Sequence, residues 1–195
     1  DTYCDRSSLW SVFTNDFWGK AVSDRASNKS YRPFTVLSFR LLHCLCGEFN
    51  VLVFRAVNVG LHALVSVLVF AIGLTIVQLP DSACLAGSLL FAVHPVHVEA
   101  VTNLVGRAEL LSTALALIAL LLLEVLVRST TFSSDRSMTV VACLISAALC
   151  KETGIALALP MVLRCVQLFR QSDASERLKS NAMRMGLMVV GTLVC

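Results

Sequence analysis

Long apolar runs separated by short polar intervals set the pattern of this chain. Residues 52–78, 83–101 and 104–127 are each long enough to cross the roughly 30 Å of hydrocarbon in a bilayer as a helix. The last of them closes on four consecutive leucines, 120–123. Shorter runs at 138–150 and 154–169 predict a hairpin of two crossings, and a further helix is expected to start near Met185. The pattern therefore predicts about five crossings and the beginning of another. Residues 34–46 are also apolar, but as a helix they cover only about 20 Å. Arg40 and His43 interrupt that run and Pro33 precedes it, so an interfacial or re-entrant helix is expected there. In the polar stretch 1–32, Leu9, Trp10, Phe13, Phe17 and Trp18 recur at helical spacing. That spacing predicts either a short amphipathic helix at a membrane surface or a loop with buried anchors.

The runs show no period-2 alternation, which favours an all-α, polytopic helical membrane protein over a membrane β-barrel. Composition agrees. Of 195 residues, 56% are hydrophobic and 15% charged, more apolar surface than one soluble core of this size could hide. The chain divides into a luminal or interfacial segment, 1–49, and a transmembrane bundle, 50–195. It begins at Asp1 without a signal-like start and stops within an apolar run, so both ends are expected to be cut. A net charge of +3, dispersed along the chain, gives no case for nucleic acid. Five of the eight cysteines sit in or beside apolar runs, and Cys44 and Cys46 form neither a zinc nor a thioredoxin spacing. No disulfide framework is expected.

Basic loops give the orientation. The 128–137 connection carries Arg128 and Arg136, and the 164–184 connection carries Arg164, Arg170, Arg177, Lys179 and Arg184. Two crossings separate them, so both are expected on the cytosolic side. Residues 47–58, 94–109 and 151–154 then gather at the opposite, luminal ends of the crossings. There the polar groups concentrate, and such groups at membrane depth usually face a cavity or a partner.

Three constellations result. His94, His97 and Glu99 are followed by Asn103, Arg107 and Glu109. As a helix, the two histidines would share a face. They could ligate a divalent metal, contact a phosphate or sugar, or belong to a helix contact in which Arg107 neutralises Glu109. Lys151 and Glu152 sit at a short turn, either as an ordinary hairpin pair or with Lys151 offered to a lipid-linked phosphate. Asn58 and His62 share a face with Arg55 one turn away, and Arg55 either snorkels to the interface or holds an anionic headgroup. Ser30, Tyr31, Arg32, Pro33 and Phe34 say only turn, then helix start. Asn28-Lys29-Ser30 is an N-glycosylation sequon.

The strings FTNDFWGK (13–20), NKSYRPFTVLSFR (28–40), FRAVNVGLHALVSVL (54–68), LLFAVHPVHVEAVTNLVGRAELL (89–111) and CKETGIALALP (150–160) resemble the transmembrane and tetratricopeptide-repeat protein O-mannosyltransferases. The combination HPVHVEAV, GRAELL and CKETGI, in that order, carries the resemblance. It implies part of a C-type glycosyltransferase (GT-C) bundle, multi-pass in the endoplasmic reticulum membrane. It implies transfer of mannose from dolichyl phosphate mannose, a lipid-linked donor, to Ser or Thr of cadherin-type extracellular domains. It also implies an acidic base in the first luminal loop, which would lie before Asp1. Asp16 follows that position and is not assigned the role. Tetratricopeptide repeats would follow Cys195. Arg55 stands where the family more often has His and where related O-mannosyltransferases place a donor-phosphate arginine. On this reading Arg55, Arg107 and Lys151 contact the phosphate or headgroup. His94, His97, Glu99 and Glu109 organise the sugar and donor, His62 and Glu152 are further donor-phosphate or substrate-binding residues, and no residue is assigned as a metal ligand.

Two other classes fit the residues. A transporter would carry polar residues through the bilayer depth, often with an internal repeat. Here 64–77 and 115–123 are nearly apolar. A non-catalytic membrane scaffold would need no site.

Overall fold

A computed structural model describes residues 10–46, 50–171 and 174–194. Cys4, Leu9, Cys195 and residues 47–49 of the expected luminal rim lie outside them. Among the described residues the fold is all helical apart from an isolated bridge between Asn15 and Ala21. Its helices are α1 (Ser11–Thr14), α2 (Pro33–Cys46), α3 (Val51–Ile72), α4 (Asp81–Val93), α5 (Val98–Thr102), α6 (Arg107–Arg128), α7 (Ser134–Cys150), α8 (Ala158–Arg170) and α9 (Glu176–Val194). A π-helical turn, Gly73–Val77, extends α3, and 3-10 turns cover Pro95–His97, Leu104–Gly106 and Glu152–Leu157.

Among the described residues three stretches are long and apolar enough to cross a membrane: Val51–Val77, Leu104–Arg128 and Glu152–Arg170. The pair Asp81–Val93 and Pro95–Thr102 could supply a fourth, but it is bent by 46°. The uninterrupted helix expected over 83–101 is therefore broken. Pro95 is the cause: it lacks an N–H, and it drives the preceding residue out of the α region. His94 accordingly has ψ 127°, and its Nδ1 accepts the Val96 N–H at 3.2 Å to cap the turn that follows. Ser134–Cys150, expected to cross, is 17 residues long, or about 25 Å of helix. The last helix starts at Glu176 rather than near Met185, so Arg177, Lys179 and Arg184 of the expected basic connection lie on it.

Among the described residues, Trp10, Phe13, Phe17 and Trp18 do not share one amphipathic helix. Among the described residues of that stretch only the four of α1 are α-helical, and a turn closed by the Asn15–Ala21 bridge follows. Asp16 organises that turn. Its carboxylate accepts from the Trp18 and Lys20 N–H groups at 3.0 and 2.9 Å and from the Ser27 hydroxyl at 2.6 Å. Trp10 and Trp18 remain exposed. The short helix begun by Pro33 forms as expected, and Thr35 ties it to α7 by donating to the Cys150 carbonyl at 2.8 Å.

The central helix is α6, which packs against α3, α7 and α9. Ala108, Ser112 and Ala116, all buried, stand four apart on one stripe, and small residues at this spacing let helices approach closely. Ser112 uses the closeness to donate to the Ala147 carbonyl at 2.9 Å. The apolar core joins Leu123, Leu126 and Val127 of α6 with Leu144 of α7, Met161 and Leu168 of α8 and Met185 and Val189 of α9. Asn181 of α9 is buried and donates to the Val127 and Ser129 carbonyls at 3.2 and 3.4 Å, satisfying groups that the end of α6 leaves open.

At that end Glu124 is buried and held from two sides. Arg164 of α8 grips it with Nε and Nη2 at 2.9 and 2.8 Å, and Arg128 donates to it at 2.5 Å. Two arginines of the basic connections are thus engaged with one carboxylate. Cys44 is disulfide-bonded, a correction to the expectation drawn from cysteine spacing. Cys46, Cys84, Cys143, Cys150 and Cys165 are free.

Candidate functional site

A cavity of about 520 Å³ opens where α4 ends, α6 begins and α7 ends. Arg32, His62, His97, Glu99, Glu109 and Lys151 line it, together with Phe91, Asn103 and apolar residues of α3 and α6.

Local structure explains how each arrives. The break at His94–Pro95 bends the chain by 46°, and His97 and Glu99 line the cavity. A second break follows at Asn103, whose Oδ1 accepts the Val105 N–H at 3.2 Å, before α6 starts at Arg107. Gly106 permits this second turn. A Cβ there would sit 2.2 Å from the Ala100 carbonyl oxygen. His62 reaches from α3 and its Nε2 lies 3.0 Å from the Ala92 carbonyl. The rings of His62, Phe91 and His97 form an aromatic cluster, with His97 4.2 Å from Phe91 and 5.2 Å from His62 between centroids.

The polar rim is built by two ion pairs. Lys151, at the end of α7, pairs with Glu109 of α6. Arg32, just before α2, pairs with Glu152 at 3.0 Å across 120 residues of sequence. The Arg32 guanidinium also lies over the Phe17 ring, 5.6 Å from its centroid. In both pairs the cation is the inner partner. Side-chain exposure is 18% for Arg32 against 53% for Glu152, and 21% for Lys151 against 45% for Glu109. Burial, and then the nearby Arg32 charge, pulls Lys151 below the usual lysine range, while Glu152 and Glu99 push it back up.

The structure thus brings together His62, His97, Glu99, Glu109 and Lys151, with Glu152 attached through Arg32. The other three residues expected at the site lie elsewhere. Arg107 does not neutralise Glu109 and does not face the cavity. It is buried, donating from Nε to Asn58 at 3.1 Å and from Nη2 to the Phe54 carbonyl at 2.9 Å, beside the stacked rings of Phe39 and Phe54. Asn58 in turn donates to the Val101 and Asn103 carbonyls, so this network braces the cavity wall from behind. Arg55 is exposed and outside the cavity lining. His94 is spent on capping and does not share a helical face with His97, because Pro95 prevents the helix that would align them. Among the described residues no group of three His, Cys, Asp or Glu side chains is disposed to hold a metal ion. Arg32 was missed because the turn around it carries no local sign of a partner beyond position 150. Its place beside Pro33, at the start of an interfacial helix, was the available signal.

A second hollow of about 490 Å³ lies between the Asp16 turn and α2. Asp16 lines it, and the Ser27 hydroxyl, followed by the backbone N–H groups, holds that carboxyl below the usual carboxylate range.

These features define a polytopic helical membrane protein with a charged, partly aromatic cavity at one end of its bundle. Comparison with known proteins supplies the family. The chain is 51% identical over 113 residues to "Protein O-mannosyl-transferase TMTC1" of Mus musculus, covering 57% of this chain and 12% of that protein. It is 47% identical over 113 residues to "Protein O-mannosyl-transferase TMTC3" of Homo sapiens, covering 58% and 12%. Over 148 residues it is 43% identical to "Protein O-mannosyl-transferase Tmtc1" of Drosophila melanogaster, covering 75% and 17%. The chain belongs to the TMTC family, and it spans only 12–17% of the length of these relatives. No family model and no solved structure matches it.

Proposed function

We propose that this chain forms part of the donor site of a protein O-mannosyltransferase of GT-C type in the endoplasmic reticulum membrane. The donor is dolichyl phosphate mannose, and the acceptors are Ser and Thr hydroxyls of cadherin-type extracellular domains, on the luminal side. The observation that carries this reading is the convergence on one cavity of His62, His97, Glu99, Glu109 and Lys151, in a chain whose relatives bear the name mannosyl-transferase. The cavity lies beside long apolar helices, which suits a donor that diffuses within a bilayer.

In the reaction a base removes the proton of the acceptor hydroxyl as its oxygen attacks the anomeric carbon, and the lipid phosphate departs. Lys151 stabilises the charge that develops on that phosphate. Glu109 holds Lys151 in place before the donor arrives. His97 and Glu99 offer hydrogen bonds to sugar hydroxyls, with Phe91 as an apolar wall. No residue here is assigned as the base. Asp16, the acidic candidate nearest in sequence, has its carboxylate occupied by Ser27, Trp18 and Lys20.

The test is mannose transfer by the full-length protein from dolichyl phosphate mannose to a cadherin peptide, paired with the melting temperature of each variant. His97→Ala and Lys151→Met are expected to lose transfer while melting normally. Full transfer by both would refute the site.

A further inference from the structure

The geometry points to Arg32 as a direct ligand for a phosphate group in this cavity, with the Glu152 carboxylate occupying its guanidinium until the phosphate displaces it. This inference rests on the donor-site reading above and names a binding residue that reading does not contain.

Three observations carry it. Arg32 lines the cavity that also holds Lys151, so two cations face one volume. Arg32 is fixed in place: its guanidinium lies over Phe17, and the neighbouring Thr35 is hydrogen-bonded to the Cys150 carbonyl. Glu152 is the looser partner, with half of its side chain exposed and one of its two hydrogen bonds long. Its Oε2 lies 3.0 Å from Nη2, and its Oε1 lies 3.4 Å from Nε. A planar guanidinium presents two parallel N–H groups that match two phosphate oxygens, and a phosphate accepting both at normal length would replace a carboxylate pair in which one bond is stretched to 3.4 Å. An exposed ion pair is weak and therefore exchangeable. The same inner cation and outer carboxylate recur at Lys151 and Glu109. A phosphate entering the cavity thus meets two held cations, each covered by a carboxylate able to swing toward solvent.

The exchange separates this role from that of a simple latch between α2 and the end of α7. A latch needs both partners, whereas a phosphate ligand needs only Arg32. Binding of farnesyl phosphate to the full-length protein in detergent tests it, with farnesol and inorganic phosphate as comparison ligands. Arg32→Gln is expected to weaken farnesyl phosphate by about tenfold, the loss of a charge-assisted pair, and to leave farnesol unchanged. Glu152→Gln is expected to bind farnesyl phosphate at least as tightly as the parent, because the competing carboxylate is gone. Arg32→Lys keeps charge but not the fork, and is expected to fall between. It serves if the glutamine variant does not fold. Equal weakening by Arg32→Gln and Glu152→Gln, with equal loss of melting temperature, would overturn the proposal in favour of a latch. A parent protein that prefers farnesyl phosphate to farnesol, with Arg32 variants unchanged, removes Arg32 and leaves the donor site standing. No preference in the parent removes the donor site, and this inference with it. Inorganic phosphate that competes as well as farnesyl phosphate supports Arg32 as an anion ligand but identifies free phosphate, not the lipid, as what it holds.

Discussion

Arg107 donates to Asn58 at 3.1 Å inside the bundle, and that bond joins the start of α6 to α3 behind the cavity wall. Arg107 is 1% exposed, and its guanidinium lies 4.4 and 5.0 Å from the centroids of Phe39 and Phe54. Among the described residues its hydrogen-bond acceptors are an amide and a carbonyl rather than a carboxylate. Arg107→Ala removes charge-assisted bonds and both ring contacts, and should cost on the order of 3 kcal/mol. Chemical denaturation in detergent should show this loss, with mannose transfer falling only in proportion to the folded fraction. Transfer abolished at unchanged stability would return Arg107 to the site.

Gly154 marks where α6, α7 and the turn before α8 touch. A Cβ there would lie 2.4 Å from Ser112 Oγ and 2.5 Å from the Ala147 carbonyl oxygen. Gly154→Ala should therefore destabilise the protein by about 1–3 kcal/mol, as overpacking does. Ser112→Gly in the same chain should not rescue it, because the second obstacle is backbone. Recovery of the parent melting temperature in the double variant would refute this packing account.

Asp16 gives a pH dependence whose sign can be worked out. Its folded pKa lies below the ordinary value of 3.8, chiefly through Ser27. A depressed carboxylate contributes stability that is present above the unfolded pKa and is lost as pH falls through the folded one. Asp16→Asn should thus melt lower than the parent at neutral pH, and the gap should close below about pH 4. A gap that persists unchanged into acid would mean that shape, not charge, holds the turn.

Sidedness can be read from Asn28, which is exposed in the turn beside Lys29 at φ 55°. The full-length protein should carry a glycan removable by endoglycosidase and lost in Asn28→Gln. A cysteine introduced at Ser134 should be labelled from the opposite side of microsomes. Labelling of both positions from the same side would reverse the orientation.

The contrast between Arg55 and Glu109 follows from placement. Arg55→Ala, outside the cavity, should leave farnesyl phosphate binding unchanged, while Glu109→Gln should alter it by releasing Lys151. Equal effects would show that Arg55 reaches the ligand after all.

Hydrophobic spacing made the helices legible because each run carries its own evidence. The Pro33 helix, the long 52–78 run and the leucine-rich end of α6 could all be read locally. The convergence of 94–109 with 151–154 was also legible, since polar groups in apolar runs require partners. Choosing the partners was not. Glu109 could pair with Arg107 two residues earlier or with Lys151, and only packing decides, by turning Arg107 inward to Asn58. The kink at His94 was written in Pro95, but a run of apolar residues on either side argued for one straight crossing. Arg32 and Glu152 stand too far apart for any spacing rule to join them.

Glu124 has a consequence for how this protein is made. The chain emerges from the ribosome in order, and Arg164 follows Glu124 by 40 residues. During that interval α6 must enter the bilayer with its carboxylate lacking the partner that grips it with two bonds. Arg128, one turn later on the same helix, is the only one of the two arginines already present. It can shield the acid during insertion and then share it once α8 docks. Replacing Arg128 would therefore be felt first in biosynthesis, as α6 entering the membrane less efficiently, before it was felt in the finished fold.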